Sequence, residues 1–87
     1  MTILDEAMTF EAIARERVQA NMERFAFTDR EREVVTRLLT GTTNKEIGDV
    51  LGIAEQTVKE HIKRILKKTG CATRTQIVLR MIGLEGG

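Results

Sequence analysis

Proline, tryptophan and tyrosine are absent from this chain, and only Phe10, Phe25 and Phe27 are aromatic. The apolar side chains are therefore almost all Leu, Ile, Val, Ala and Met, a palette that favours helices packed on helices. Cysteine is nearly missing as well. Cys71 stands alone, so no disulfide can form within the chain, which agrees with a reducing compartment. No apolar run approaches the ~18 residues needed to span a bilayer. The first residues carry Asp5 and Glu6, where a secretion signal would carry basic ones. These absences predict a cytoplasmic protein with no membrane partner. At 87 residues a chain buries only about 60% of its unfolded surface, enough for a single core.

A large excess of one charge is also lacking. The formal net charge is +1, so its distribution matters more than its sum. Residues 1 to 26 hold five acids and three arginines, a net of −2, which leaves +3 for the rest. From Glu55 to Arg74 there are six basic residues (Lys59, Lys63, Arg64, Lys67, Lys68, Arg74) and two acids (Glu55, Glu60). The positive charge is concentrated in that one stretch.

Three helix starts share one signature, a threonine followed three residues later by Glu or Gln: Thr28 with Glu31, Thr43 with Glu46, and Thr73 with Gln76. Such pairs satisfy the orphan amides of a first helical turn. The expected helices run from about Asp29 to Thr40, from Thr43 to Gly52, from Glu55 to about Thr69, and from Thr73 to about Ile82. Val34, Val35, Leu38 and Leu39 form the inner stripe of the first, and Ile47, Val50 and Leu51 that of the second. Ahead of them, Ala7, Phe10, Ala14, Val18, Met22 and Phe25 recur at three- and four-residue steps, which predicts a further amphipathic helix from about Leu4 to Arg24. It serves either as a brace on the other four helices or as a coiled contact with another chain. The Gly86-Gly87 tail is expected to fray. The expected fold is all-α: an N-terminal helical extension over residues 1–26, then a four-helix helix-turn-helix domain over 27–87.

The spacing of Gly48, Gly52 and Val58 is that of a helix-turn-helix. A small residue at 48 allows close helix approach, a glycine at 52 makes the turn, and an aliphatic at 58 locks the third helix on the second. At 100° per residue, Val58, Ile62, Ile65, Leu66 and Thr69 share the inner side of that third helix. Gln56, Lys59, Glu60, Lys63 and Lys67 lie opposite. A row of charges is most often a solvated helix face, but this row lies opposite the anchor of a helix that the turn pushes outward. An α-helix fits the major groove of double-stranded DNA. Lys59 and Lys63 suit guanine acceptors and Glu60 suits a cytosine amino group, while Arg64, Lys67 and Lys68 suit phosphates.

Residues 27 to 78 resemble the DNA-binding domain of LuxR-type (GerE-type) regulators. The resemblance is carried by Thr28-x-Arg30-Glu31-x-Glu33-Val34, by Gly41 with Asn44-Lys45-Glu46-Ile47, by Thr57-Val58-Lys59-x-His61 with Ile65-x-Lys67, and by Arg74-Thr75. It implies that Lys59, Glu60 and Lys63 face bases, and that Asn44, Lys45, Thr57, Lys67 and Arg74 approach the DNA backbone. It also implies homodimers meeting through the last helix, at Ile77, Val78, Met81 and Ile82. That helix is apolar almost all round, so it needs cover on two sides. The sequence departs from the family pattern at Ala54, where a capping serine is usual, at Gly48 for alanine, at Arg64 for asparagine and at Thr69 for leucine. The missing cap corresponds to ~1 kcal/mol.

Chemistry of another kind finds little support. His61 is the one histidine and Cys71 is distant in sequence, so no metal set is present; a packing or phosphate-adjacent role suits His61, and a small apolar role in the turn suits Cys71, with a redox-sensing or intersubunit thiol as its alternative. No nucleophile has a partnered base and no glycine-rich phosphate loop precedes a helix, which argues against an enzyme, a cofactor or a small-molecule ligand. The leading expectation is a regulator that binds promoter DNA and recruits or blocks RNA polymerase. A second is a protein-binding antagonist that sequesters a larger LuxR-type regulator through its terminal helices, which the low charge and Ala54 favour slightly. A third, the polymerase-binding region of a sigma-like factor, shares the turn but not ordinarily His61 and Arg74-Thr75.

Overall fold

The computed structural model describes residues 3–84, and these form five α-helices with no strand among them: α1 (Ile3–Glu23), α2 (Asp29–Leu39), α3 (Asn44–Leu51), α4 (Glu55–Thr69) and α5 (Arg74–Ile82). The all-α expectation holds, and helix ends fall within a residue or two of those read from the caps. Gly86 and Gly87 lie outside the described residues.

Two of the three cap signatures form complete boxes. The Thr28 hydroxyl accepts from the Glu31 amide at 3.1 Å while the Glu31 carboxylate accepts from the Thr28 amide at 2.9 Å. Thr43 and Glu46 do the same for α3. The third is displaced. Thr73 accepts from the Gln76 amide, but Gln76 Oε1 reaches back one residue further and accepts from the Ala72 amide at 2.6 Å. The longer glutamine thereby ties the preceding turn to the helix instead of closing on the cap residue.

One core joins every helix. Val34, Val35, Ile47, Val58, Ile65, Ile77 and Met81 are wholly buried, and Met22 of α1 belongs to the same cluster. Each such side chain removed from water stabilises the fold by roughly 1.5 to 3 kcal/mol before entropy is counted. Leu39 and Leu51 pack on its margin. Val50 does not belong to it. Expected on the inner stripe of α3, it is 55% exposed and lies with Leu51 beside the outer face of α2, near Arg30 and Glu33. With only eight residues in α3, the line from Ile47 to Leu51 defines the buried side, and Val50 falls off its edge.

The turn between α3 and α4 shows why glycine stands at both 48 and 52. Gly52 adopts φ +69°, ψ +34°, a left-handed conformation that costs a residue with a Cβ roughly 1 to 2 kcal/mol. Its amide, and that of Ile53 at 2.9 Å, both donate to the Gly48 carbonyl. The chain thus folds back over Gly48, where a Cβ would lie 2.6 Å from the Ile53 carbonyl oxygen. Close packing, rather than tolerance of a poor helix former, explains this glycine.

The N-terminal helix braces α5. Met22 is buried, Val18 packs on the core margin, and Asn21 Nδ2 donates to the Met81 carbonyl at 2.8 Å. The aliphatic stem of Arg17 abuts Gly83 at the end of α5. Ile77 and Met81 lie wholly inside this chain's core, and α1 supplies part of the second cover that the apolar circumference of α5 requires.

Candidate nucleic-acid interface

Helix α4 is anchored on one side and open on the other. Val58 and Ile65 are fully buried, Ile62 and Thr69 nearly so, and the Thr69 hydroxyl returns to the Ile65 carbonyl at 2.8 Å. On the opposite side Gln56, Lys59, Glu60 and Lys63 are exposed, followed by Arg64 and Lys67. Lys59 and Lys63 are one helical turn apart and accompany Gln56 and Glu60 on a ridge that no other described segment covers. Thr57, also expected near the DNA backbone, is half-buried at the edge of this face, and Lys45 is exposed on α3.

Three helix N-termini converge beside that ridge. Thr43 caps α3, Glu55 opens α4, and Arg74 opens α5, and between them lies an open cleft of about 500 Å³ lined also by Thr42 and Asn44. Arg74 holds the arrangement together. Its Nη1 donates to Asn44 Oδ1 at 2.7 Å and its Nη2 to the Thr42 carbonyl at 2.9 Å. Two residues expected separately at the DNA backbone are thus joined, and the fixed fork of the guanidinium sets α5 against the turn before α3. Each N-terminus brings the positive end of its dipole to the cleft, and the Thr43 and Thr73 hydroxyls take up one first-turn amide each at α3 and α5.

The start of α4 lacks one contribution the other starts have. Ala54 has the extended backbone of a cap residue, φ −67° and ψ 148°, but no side-chain oxygen to accept from the first-turn amides. Glu46 on α3 is held below the ordinary carboxylate range by the Thr43 amide and hydroxyl. It remains ionised as the partner of its own helix start.

Lys68 occupies a different place from its neighbour Lys67. Its Nζ is 2.6 Å from Glu31 Oε1 and 2.7 Å from the Ala26 carbonyl, so it pins the last turn of α4 to the connection between α1 and α2. Glu31, the acid of the first capping box, is only 2% exposed. The capping box reveals its local role; its ionic partner lies 37 residues away, beyond any local spacing rule. His61 is half-buried with Nδ1 enclosed and without a hydrogen-bond partner among the described residues, and Cys71 is buried in the core. Among the described residues no three His, Cys, Asp or Glu side chains cluster as metal ligands, and no helix is long and apolar enough to cross a membrane.

An outward helix seated on a tight glycine turn, in a four-helix unit with these cap signatures, defines a helix-turn-helix domain. Residues 26–81 match the profile of the family described as bacterial regulatory proteins, luxR family, and the chain belongs to that family. It is 39% identical over 62 residues to a probable HTH-type transcriptional regulator, GfsR, of Streptomyces halstedii, covering 71% of this chain and 26% of that protein. It is 39% identical over 59 residues to the nitrate/nitrite response regulator protein NarP of Escherichia coli, covering 68% and 27%. Over 49 residues it is 47% identical to the DNA-binding transcriptional activator DevR/DosR of Mycobacterium tuberculosis, covering 56% and 23%. The chain spans about a quarter of the length of these curated relatives. No solved structure matches it.

Proposed function

We propose that this chain is a sequence-specific DNA-binding transcriptional regulator that inserts α4 into the major groove as part of a homodimer. The observation that carries this reading is the exposure of Lys59, Glu60 and Lys63 on the face of α4 opposite the fully buried Val58 and Ile65. On this reading Lys59 and Lys63 donate to guanine O6 and N7, and Glu60 accepts from cytosine N4. Lys45, Thr57, Arg64 and Lys67 meet phosphates, with the amides at the α3 and α4 starts assisting. Arg74 and Asn44 take part chiefly by holding those helix starts in place, and Lys68 by fixing α4 through Glu31. Relatives described as transcriptional regulators support the same reading.

Among the α5 residues expected at a dimer contact, Ile77 and Met81 are already inside the core, which leaves the half-buried Val78 and Ile82. Two side chains fall well short of the ~800 Å² per partner that stable interfaces bury.

Titration of the chain with random-sequence and selected DNA duplexes at several salt concentrations tests the reading. A DNA-binding protein loses affinity log-linearly with salt as counterions are released. Absence of binding at low salt would overturn it and leave the antagonist role as the better account.

A further inference from the structure

We propose that the groove between α1 and α2 is a docking site for an acidic amphipathic helix of a partner protein. It lies on the side of the domain turned away from the lysines of α4, and it stands whether or not those lysines read bases.

The groove exists because α1 rests on α5 rather than on α2. Between α1 and α2 it leaves a space of about 550 Å³, with Ala14, Val18, Met22 and Leu39 along an apolar floor and Arg15 and Arg32 on the rim. Its walls, Ala14 to Met22 on α1 and Arg32 to Leu39 on α2, each extend about 10 to 12 Å, the length of two turns of a partner helix. Val34, Val35 and Leu38 turn the inner side of α2 into the core that also holds Val58 and Ile65 of α4. Arg32 and Thr36 are exposed on the outer side. A helix seated there and a DNA duplex on α4 therefore meet opposite sides of the domain.

The chemistry of the rim selects an acidic partner. The Thr36 and Thr40 hydroxyls line the groove but donate back into their own helix, to the Arg32 and Arg37 carbonyls at 2.8 and 2.7 Å. The charged donors that face a ligand are Arg15 and Arg32, both exposed and neither in an ion pair among the described residues. Guanidinium forks pair best with carboxylates. The same bias continues across α2, where a second groove shares Arg32 and Thr36 and adds Arg30, Arg37 and the 55% exposed Val50. Glu33 is the one acid lining either groove, and it already holds Arg30 at 2.9 Å.

Apolar floor and cationic rim together describe a helix-in-groove site, in which leucine-like anchors at three- and four-residue steps fill the floor and flanking acids meet the arginines. Aliphatic side chains have nothing to offer a phosphate backbone, so nucleic acid suits this surface poorly. A second copy joined groove to groove suits it no better, because two-fold symmetry would bring the same arginines together.

Fluorescence anisotropy with a short labelled helical peptide, leucines at three- and four-residue steps flanked by glutamates, tests this on the full chain. Binding with a dissociation constant in the tens of micromolar is expected. The same peptide with lysine for glutamate, or with serine for leucine, should bind at least about tenfold more weakly. Arg15→Glu with Arg32→Glu should weaken the acidic peptide about tenfold and strengthen the lysine peptide, a reversal that misfolding cannot produce. Ala14→Glu, at an exposed position on the floor, should weaken the acidic peptide with helix content unchanged. Lys63→Ala should leave peptide binding unchanged, so failure of the DNA reading and failure of this site give separate results. An acidic peptide that does not bind, or binds no better than the lysine or serine peptide, overturns the proposal. So does loss of DNA affinity in the arginine variants without loss of peptide binding, which makes the groove a nucleic-acid surface. A dimer of the chain that Ala14→Glu dissociates assigns the groove to a second copy and overturns it as well.

Discussion

Lys68 Nζ lies 2.6 Å from Glu31 Oε1, an ion pair between the last turn of α4 and the first turn of α2. The same ammonium donates to the Ala26 carbonyl, and the same carboxylate accepts from the Thr28 amide. One pair therefore fixes the outward helix, the α2 start and the connection from α1.

Burial by itself would push the Glu31 carboxyl up, but the Lys68 hydrogen bond, the Thr28 amide and the Lys68 charge outweigh it, and the group is held below the ordinary glutamate range. A carboxyl with a depressed folded-state pKa contributes stability that is present above the unfolded value and is lost as pH falls through the folded one. Urea midpoints measured below the ordinary glutamate range should therefore drop with pH, and Glu31→Gln should flatten part of that decline. Lys68→Met leaves the carboxylate without its cation. The expected loss is about 2 kcal/mol, discounted from the ~3 to 5 kcal/mol of a fully enclosed pair because the Lys68 side chain is 33% exposed. Lys67→Met, on the open face, should leave stability unchanged, and equal losses for the two variants would refute this account.

Gly48→Ala sets two effects against each other. Alanine gains about 1 kcal/mol of helix propensity. Its Cβ, however, would stand 2.6 Å from the Ile53 carbonyl oxygen, a backbone atom that cannot swing aside as a side chain can. Overpacking of this kind typically costs about 1 to 3 kcal/mol, so net destabilisation is expected. The turn must open to admit the methyl group, which should also alter the setting of α4 and weaken specific DNA more than random DNA. A variant as stable as the wild type in urea unfolding would show that the turn relaxes freely.

What was legible in the sequence follows from how local each determinant is. Thr28 with Glu31 and Thr43 with Glu46 announce two helix starts because a capping box is complete within four residues. The outer face of α4 follows from one period, with Val58 and Ile65 inside and Lys59 and Lys63 outside. Val50 was misplaced because eight residues make too few turns for periodicity to fix an edge. Gln76 was right about the helix and wrong about the bond, since its side chain can reach Ala72 as easily as Thr73. The ties of Lys68 to Glu31 and of Arg74 to Asn44 span 37 and 30 residues and exist only once the helices have packed. So does the brace of α1 on α5, because a stripe at helical spacing announces burial without naming what buries it.

Lys63 and Lys67 stand one turn apart on the open side of α4, and their expected roles differ. Lys63→Ala should cost ~1 to 3 kcal/mol on the preferred sequence and relax discrimination at one base pair. Lys67→Ala should weaken every sequence alike and reduce the salt dependence by about one counterion. Fluorescence anisotropy with selected and random duplexes at several salt concentrations separates the two. Equal losses on both duplexes for both variants would show that neither lysine reads a base.

Ala54→Ser should stabilise the domain. The backbone at 54 already has the extended conformation of a cap residue, so a serine would need no rearrangement to present its oxygen to the Thr57 amide. Caps of this kind contribute ~1 kcal/mol, and a rise of several degrees in melting temperature is expected, about 4 to 8 °C per kcal/mol for a domain of this size. The site also lies next to the cleft lined by Glu55 and Arg74. If α4 enters the groove by its N-terminal half, an added hydroxyl there gives the DNA backbone one more donor. Affinity for random and preferred duplexes should then rise together. A gain in thermal stability with no change in DNA affinity would place the α4 start away from the phosphates, whereas no gain in either would mean that the first turn of α4 is already satisfied by solvent.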